Sequence, residues 1–76
     1  MLIQILGTGC AKCRQLYDNT TEAVKQAAVD ADIQKVEKIN EIMKFGVPFT
    51  PALVVDGIVK AYGKVLSVDE IKGLIS

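Results

Sequence analysis

The stretch from Pro48 to Tyr62 leaves this chain the least freedom. Pro48 and Pro51 rule out a helix here, because each lacks an N–H and disfavours helical geometry in the residue before it. Ala52-Leu53-Val54-Val55 is then an apolar β run, Asp56-Gly57 a two-residue turn that tolerates positive φ, and Ile58-Val59-Lys60-Ala61-Tyr62 its partner. Any fold for this chain must therefore contain a β-hairpin entered through a proline.

The other segments are placed around that hairpin. Leu2 to Leu6 is apolar on both faces except for Gln4, the pattern of a central strand covered on both sides. From Ala11 to Val29 the period is helical. Leu16, Thr20, Ala23, Val24, Ala27 and Ala28 share one stripe, while Lys12, Arg14, Asp18, Glu22, Lys25 and Gln26 fall mostly elsewhere.

Residues 31–45 carry two patterns. Ile33, Val36, Ile39, Ile42 and Met43 have helical spacing and would suit one long helix. A strand from Ala31 to Glu37 instead gives the first helix a parallel β-α-β crossover to belong to. A short helix capped by Asn40 and closed by Gly46 then follows. Ser67, with Glu70 three residues on, forms a capping box for a final helix with Ile71, Leu74 and Ile75 on its apolar face. The order is β-α-β-α-β-β-α, an α/β fold with a four-stranded mixed sheet and helices on both faces.

A chain of 76 residues is expected to make one domain, residues 1–76, near the small end of what folds unaided. Half the residues are apolar and only 5% aromatic, so the core should be aliphatic. Nine basic and nine acidic residues cancel, which leaves no basic stripe for nucleic acid and few rings to stack bases. The apolar runs are too short to span a membrane, and the N-terminus lacks the charged start and cleavage site of a signal peptide. The compartment expected is the cytoplasm, where thiols are kept reduced and a lone CxxC is catalytic or metal-binding rather than structural.

That CxxC is Cys10-Ala11-Lys12-Cys13, the only two cysteines of the chain. Strand, Thr8-Gly9 turn and helical pattern together put the first sulfur at a helix N-terminus, where unpaired N–H groups and the helix dipole favour a thiolate. Two intervening residues bring both sulfurs onto one turn, close enough to join and part. An ordinary cysteine ionises at about 8.5 and is only a few per cent thiolate at neutral pH. A helix N-terminus contributes roughly 0.3–1 kcal/mol, less than one pKa unit at about 1.36 kcal/mol per unit. More help is needed, and the candidates are a hydrogen bond from the Cys13 thiol and the charge of Lys12 or Arg14, of which Lys12, inside the motif, is the better placed.

With these residues in place the chain resembles the thioredoxin superfamily, in its minimal glutaredoxin-sized form. Within it, the chain looks most like the short "redox-active disulfide" thioredoxin-like proteins of archaea and bacteria. The likeness rests on CxxC after the first strand, Thr50-Pro51 entering the third, and the Asp-Gly hairpin. Gly46 to Gly57 nearly reproduces the segment Gly-Val-x-x-Thr-Pro-Ala-Leu-Val-[Val/Ile]-Asp-Gly of those proteins.

The resemblance implies a small thiol–disulfide oxidoreductase with Cys10 as nucleophile and Cys13 as resolving thiol. It implies a cis Thr50–Pro51 bond facing the CxxC and a Thr50 backbone that pairs with an extended substrate segment; Phe49 beside them is either a packing group or the lining of an apolar substrate groove. The partners implied are protein disulfides and a reductant of the thioredoxin-reductase type or another thiol. No cofactor is implied beyond the Cys10–Cys13 disulfide, and a monomer is the default. Gly9 stands where ordinary thioredoxins have Trp, Ala-Lys replaces Gly-Pro or Pro-Tyr, and the buried carboxylate of thioredoxins has no counterpart. Residues 63–67 match the glutathione-holding segment of glutaredoxins only loosely, so glutathione does not carry over.

Other readings stand beside this one. CxxC can be a static disulfide, although such short loops make poor staples. It can bind metal, as in heavy-metal-associated domains, but those run β-α-β-β-α-β and end in a strand. A thioredoxin-like domain can also be a binding module without turnover, a role that does not require two thiols. Lys12 and Arg14 can be a solvated helix face; Tyr17, Tyr62 and Phe45 can be packing groups.

Overall fold

Leu2–Leu6 forms β1, and its two apolar faces are matched by a position inside the sheet. The computed structural model describes residues 1–75 and adds α1 (Ala11–Ala27), β2 (Asp32–Val36), α2 (Ile39–Met43), β3 (Ala52–Val55), β4 (Ile58–Tyr62) and α3 (Val68–Ile75). The strands run in the order β2-β1-β3-β4. β1 pairs parallel with β2, Leu2 opposite Asp32 through Leu6 opposite Val36, and antiparallel with β3. The α/β class, the four-stranded mixed sheet and the element order are those the sequence pattern predicts.

Alternation within the strands feeds two unequal cores. On one face Ile3, Ile5, Leu53 and Val55 pack with Leu16 and Ala23 of α1, Ile71 and Ile75 of α3, and Leu66 before it. On the other face Leu6, Ala52 and Val54 pack with Ile42 of α2 alone among buried residues. β3 is buried at every position because it serves both cores.

The hairpin forms where the Asp-Gly turn puts it, with Asp56 at φ 49° and Gly57 at φ 82°. Asp56 does more than turn. Its N–H donates to the Leu2 carbonyl at 2.7 Å, and its Oδ1 accepts from the Leu2 N–H at 2.8 Å, so the turn is tied to the start of β1. Along the hairpin Leu53 opposes Ala61 and Val54 opposes Val59, which leaves Lys60 as a bulge on the edge strand. The capping box of α3 also forms. The Ser67 N–H donates to Glu70 Oε1 and the Glu70 N–H to Ser67 Oγ, both at 3.1 Å.

Three local expectations are corrected. The first helix stops at Ala27 rather than Val29, because Ala28 turns left-handed at φ 54° and leaves the apolar stripe for solvent. The short second helix is not capped by Asn40. It starts at Ile39, Asn40 lies inside it, and the Lys38 carbonyl accepts from the N–H groups of Glu41 and Ile42 at 3.0 Å. Burial of Ile42 sets the phase of that single turn, and a backbone carbonyl then does what the Asn side chain was expected to do. The helix ends at Met43, and Gly46 (φ 72°) closes the turn that follows. Leu74, expected on the inner face of α3, is 39% exposed; Ile71 and Ile75 alone are buried there. No helix among the described residues is long and apolar enough to cross a membrane.

Candidate active site

The end of β1 delivers the chain to the site. The Gly7 N–H donates to the Val36 carbonyl at 2.9 Å, and Gly9 at φ 91° turns the backbone into α1. Cys10 occupies the N-cap of α1 with extended backbone. Its carbonyl accepts from the Arg14 N–H at 3.0 Å, and its Sγ accepts from the Cys13 N–H at 3.3 Å. Sulfur here does what a Ser or Asp oxygen does at an ordinary N-cap.

Cys13 lies one turn inside, 5% exposed where Cys10 is open to solvent. Both are free thiols, and their sulfurs are 2.6 Å apart. The surroundings push the two thiols in opposite directions. Cys10 is held below the ordinary thiol range, first by the hydrogen bond from the Cys13 side chain, then by the Cys13 backbone N–H, with the Lys12 N–H adding to it. Cys13 is pushed up, chiefly by burial and then by its hydrogen bond to Cys10. Of the two, the outer sulfur gives up its proton more readily and the inner one keeps its own longer. Lys12 itself is exposed, and what it brings to Cys10 here is its backbone N–H.

The loop before β3 meets this pair from the far side. Pro51 is fully buried, and the Thr50–Pro51 peptide is cis. Gly7 lies between Pro51 and Cys13: a Cβ built on Gly7 would overlap Cys13 Sγ and sit 4.0 Å from Pro51 Cα. The fold thus brings Cys10, Cys13 and Pro51 to one place. Thr50 and Phe49 adjoin it in sequence and are both exposed, Phe49 by 66%. The backbone behind Phe49 is fixed, since the Gly63 N–H donates to the Pro51 carbonyl at 2.8 Å and a Cβ on Gly63 would come within 3.3 Å of Phe49 Cβ.

The sequence pattern does not point to a cleft of about 140 Å³ that reaches Cys13 from the β2 side, lined by Gly9, Arg14, Tyr17, Lys35 and Glu37 among others. Lys35 Nζ stands 4.4 Å above the centre of the Tyr17 ring. The parallel crossover that places β2 beside β1 was the one available signal, because it carries residues 35 and 37 to the same end of the sheet as the thiols. Among the described residues no three His, Cys, Asp or Glu side chains come together to hold a metal ion.

An exposed sulfur whose pKa is lowered and a buried one whose pKa is raised, in contact, are the reagents for making and breaking a disulfide. Comparison with known proteins agrees. The thioredoxin domain family matches residues 1–76. A thioredoxin of Methanothermobacter thermautotrophicus is 45% identical over 76 residues, covering 100% of this chain and 99% of that one. A thioredoxin of Methanocaldococcus jannaschii is 44% identical over 72 residues, covering 95% of this chain and 83% of that one. Fold, thiol pair and kinship converge, and the chain belongs to the thioredoxin family, with thiol–disulfide oxidoreductase chemistry as its general activity.

Proposed function

We propose that the protein reduces disulfides in other proteins, with Cys10 as the attacking thiol and Cys13 as the resolving one. The Cys10 thiolate attacks one sulfur of a target disulfide, a Cys10–target disulfide forms, and the other target sulfur leaves as a thiolate and takes up a proton. Cys13 then gives up its proton and attacks Cys10 Sγ. The Cys10–target bond breaks, and the second target sulfur leaves with its electron pair and is protonated. The target ends reduced and the protein ends as the Cys10–Cys13 disulfide. A thiol reductant, of the thioredoxin-reductase type or another, returns it to the dithiol. The Thr50 backbone pairs with an extended substrate segment as a short added strand, Pro51 keeps an N–H out of the space beside the sulfurs, and exposed Phe49 supplies apolar contact. The Lys12 N–H assists the Cys10 charge. A reducing compartment such as the cytoplasm suits this direction of transfer.

The observation that carries this reading is the asymmetry of the two sulfurs: Cys10 exposed and lowered in pKa, Cys13 buried, raised and in contact with it. Two measurements test it. Insulin reduction by dithiothreitol should accelerate with the wild-type protein and not with Cys10→Ser. Brief alkylation of the reduced protein at neutral pH should label Cys10 selectively. No acceleration by the wild type, or labelling of Cys13 to the same degree, overturns the assignment and returns the CxxC to metal binding or to a non-catalytic domain.

A further inference from the structure

Gly7 is buried, yet its glycine identity does not come from its backbone. The glycines at positive φ are Gly9, Gly46, Gly57 and Gly63, and Gly7 is not among them. Its peculiarity is space. A Cβ at Gly7 would overlap Cys13 Sγ and lie 3.1 Å from Cys13 Cβ, whereas a Cβ at Gly46, Gly57 or Gly73 would meet nothing within 4 Å. We propose that Gly7 is a positioning residue for the inner thiol: the volume of its missing side chain is the seat that holds the Cys13 sulfur against Cys10 and beside Pro51. The name "resolving thiol" for Cys13 rests on the function proposed above; the seat itself does not.

A methyl group at position 7 leaves the sulfur two ways out. Cys13 Cβ belongs to the first turn of α1, which is pinned by the Arg14 N–H bond to the Cys10 carbonyl and by fully buried Leu16. Either Sγ swings to another rotamer, about 120° away in χ1, or the start of α1 lifts from the sheet. Both break the 2.6 Å contact between the sulfurs. Cys10 then loses the hydrogen bond that most favours its thiolate. Each pKa unit it regains lowers the thiolate fraction at neutral pH about tenfold. The inner sulfur also loses its line of attack on a Cys10–target disulfide, which would then persist.

The test is a double-mutant cycle on the full chain, kept reduced: wild type, Gly7→Ala, Cys13→Ala, and the two together. The readouts are the pH profile of Cys10 alkylation by iodoacetamide and the urea midpoint. Lys12, Arg14 and Tyr17 from α1 and Lys35 and Glu37 from the β2 side are the charged or titratable groups around the pair. They are the same in all four proteins, so differences report on residues 7 and 13. With Cys13 present, Gly7→Ala should slow Cys10 alkylation at pH 7 about three- to tenfold, shift its profile to higher pH and lower the urea midpoint. In the Cys13→Ala background the overlap with Sγ is gone and only the 3.1 Å approach to the residue-13 Cβ remains, so the added methyl should leave the alkylation profile within about 1.5-fold and lower the urea midpoint by less than half as much as with Cys13 present.

Should Gly7→Ala alone fail to fold while the double variant folds, that rescue supports the seat. Equal effects of Gly7→Ala in both backgrounds, lowered stability with an unmoved alkylation profile, or failure of both variants to fold overturns it. If instead the wild type does not reduce insulin, the exchange reading falls while this cycle still measures the seat.

Discussion

The two faces of the sheet are built to different standards. The face under α1 and α3 carries nine buried apolar residues in one cluster, and α1, which supplies two of them, also carries buried Cys13. The face under α2 carries four, and α2 itself is five residues long with Ile39 and Met43 exposed at 64% and 70%. The loop that leads from α2 back to β3 bears Phe49 and Thr50. Bond exchange between two sulfurs needs them held to a fraction of an ångström, which close packing supplies. Recognition of varied partners needs exposed backbone and apolar surface, which a sparsely covered face leaves available. The thiols therefore belong to the helix of the tightly packed face, and the proposed substrate contacts Phe49 and Thr50 to the exposed loop that follows α2.

The largest test of that division compares the two cores directly. Leu16, 1% exposed and three residues past Cys13 on α1, is replaced by Ala in one variant, and Ile42 of α2 in another. Leu16→Ala should cost about 3–4 kcal/mol in urea unfolding, because the surrounding helices and strands cannot collapse into the space. Ile42→Ala should cost about 2 kcal/mol, since a single turn at the surface relaxes more easily. Leu16→Ala should also weaken the selectivity of alkylation for Cys10, and Ile42→Ala should not. Equal costs, or loss of selectivity in Ile42→Ala, would dissolve the contrast.

A smaller effect is expected at Phe49, and on a different readout. If this ring supplies contact to protein substrates, Phe49→Ala lowers kcat/KM for insulin about three- to tenfold, a loss near 1 kcal/mol of transition-state binding. Reaction of Cys10 with iodoacetamide, which is too small to reach the ring, stays at the wild-type rate. A parallel fall in both would mean that Phe49 supports the thiols rather than the substrate.

What could be read in the chain beforehand follows the range of the interactions involved. The Asp56-Gly57 turn and the Ser67–Glu70 capping box are made by residues two or three apart, and both stand where the pattern puts them. Cys10 at the N-cap was legible for the same reason. The local preference of Asn40 for capping loses to the burial of Ile42, whose partners Leu6, Ala52 and Val54 are distant in sequence. Gly7 gave no local sign, since the atom that needs its missing side chain belongs to Cys13 across the β1–α1 turn. Lys35 and Glu37 reach the thiol cleft only through the parallel crossover. The charge of Lys12 is what the sequence displays, whereas its contribution to Cys10 in the structure comes from its backbone N–H.

The smallest effect separates the well-packed face from its solvent-facing rim. Glu70 is held below the usual carboxylate range by the backbone N–H and then the hydroxyl of Ser67. A carboxylate lowered in the folded state adds stability that is complete above its unfolded pKa, near 4.5, and is lost as pH falls through the lower folded value. Glu70→Gln should therefore melt slightly below the wild type at pH 7, and the gap should close as pH falls below 4.5 and through the lower folded value. Added salt should narrow it only modestly, because the bonds run to backbone N–H and hydroxyl rather than to a distant charge. The capping pair is exposed and at the far end of α3 from Ile75, so Cys10 alkylation should keep its wild-type pH profile in this variant. A gap that does not narrow on acidification below pH 4.5 would take the ionised carboxylate out of the cap. A shifted Cys10 profile would mean that the rim of the packed face and the thiols are mechanically one unit, and the division between rigid chemistry and open recognition would have to be drawn elsewhere.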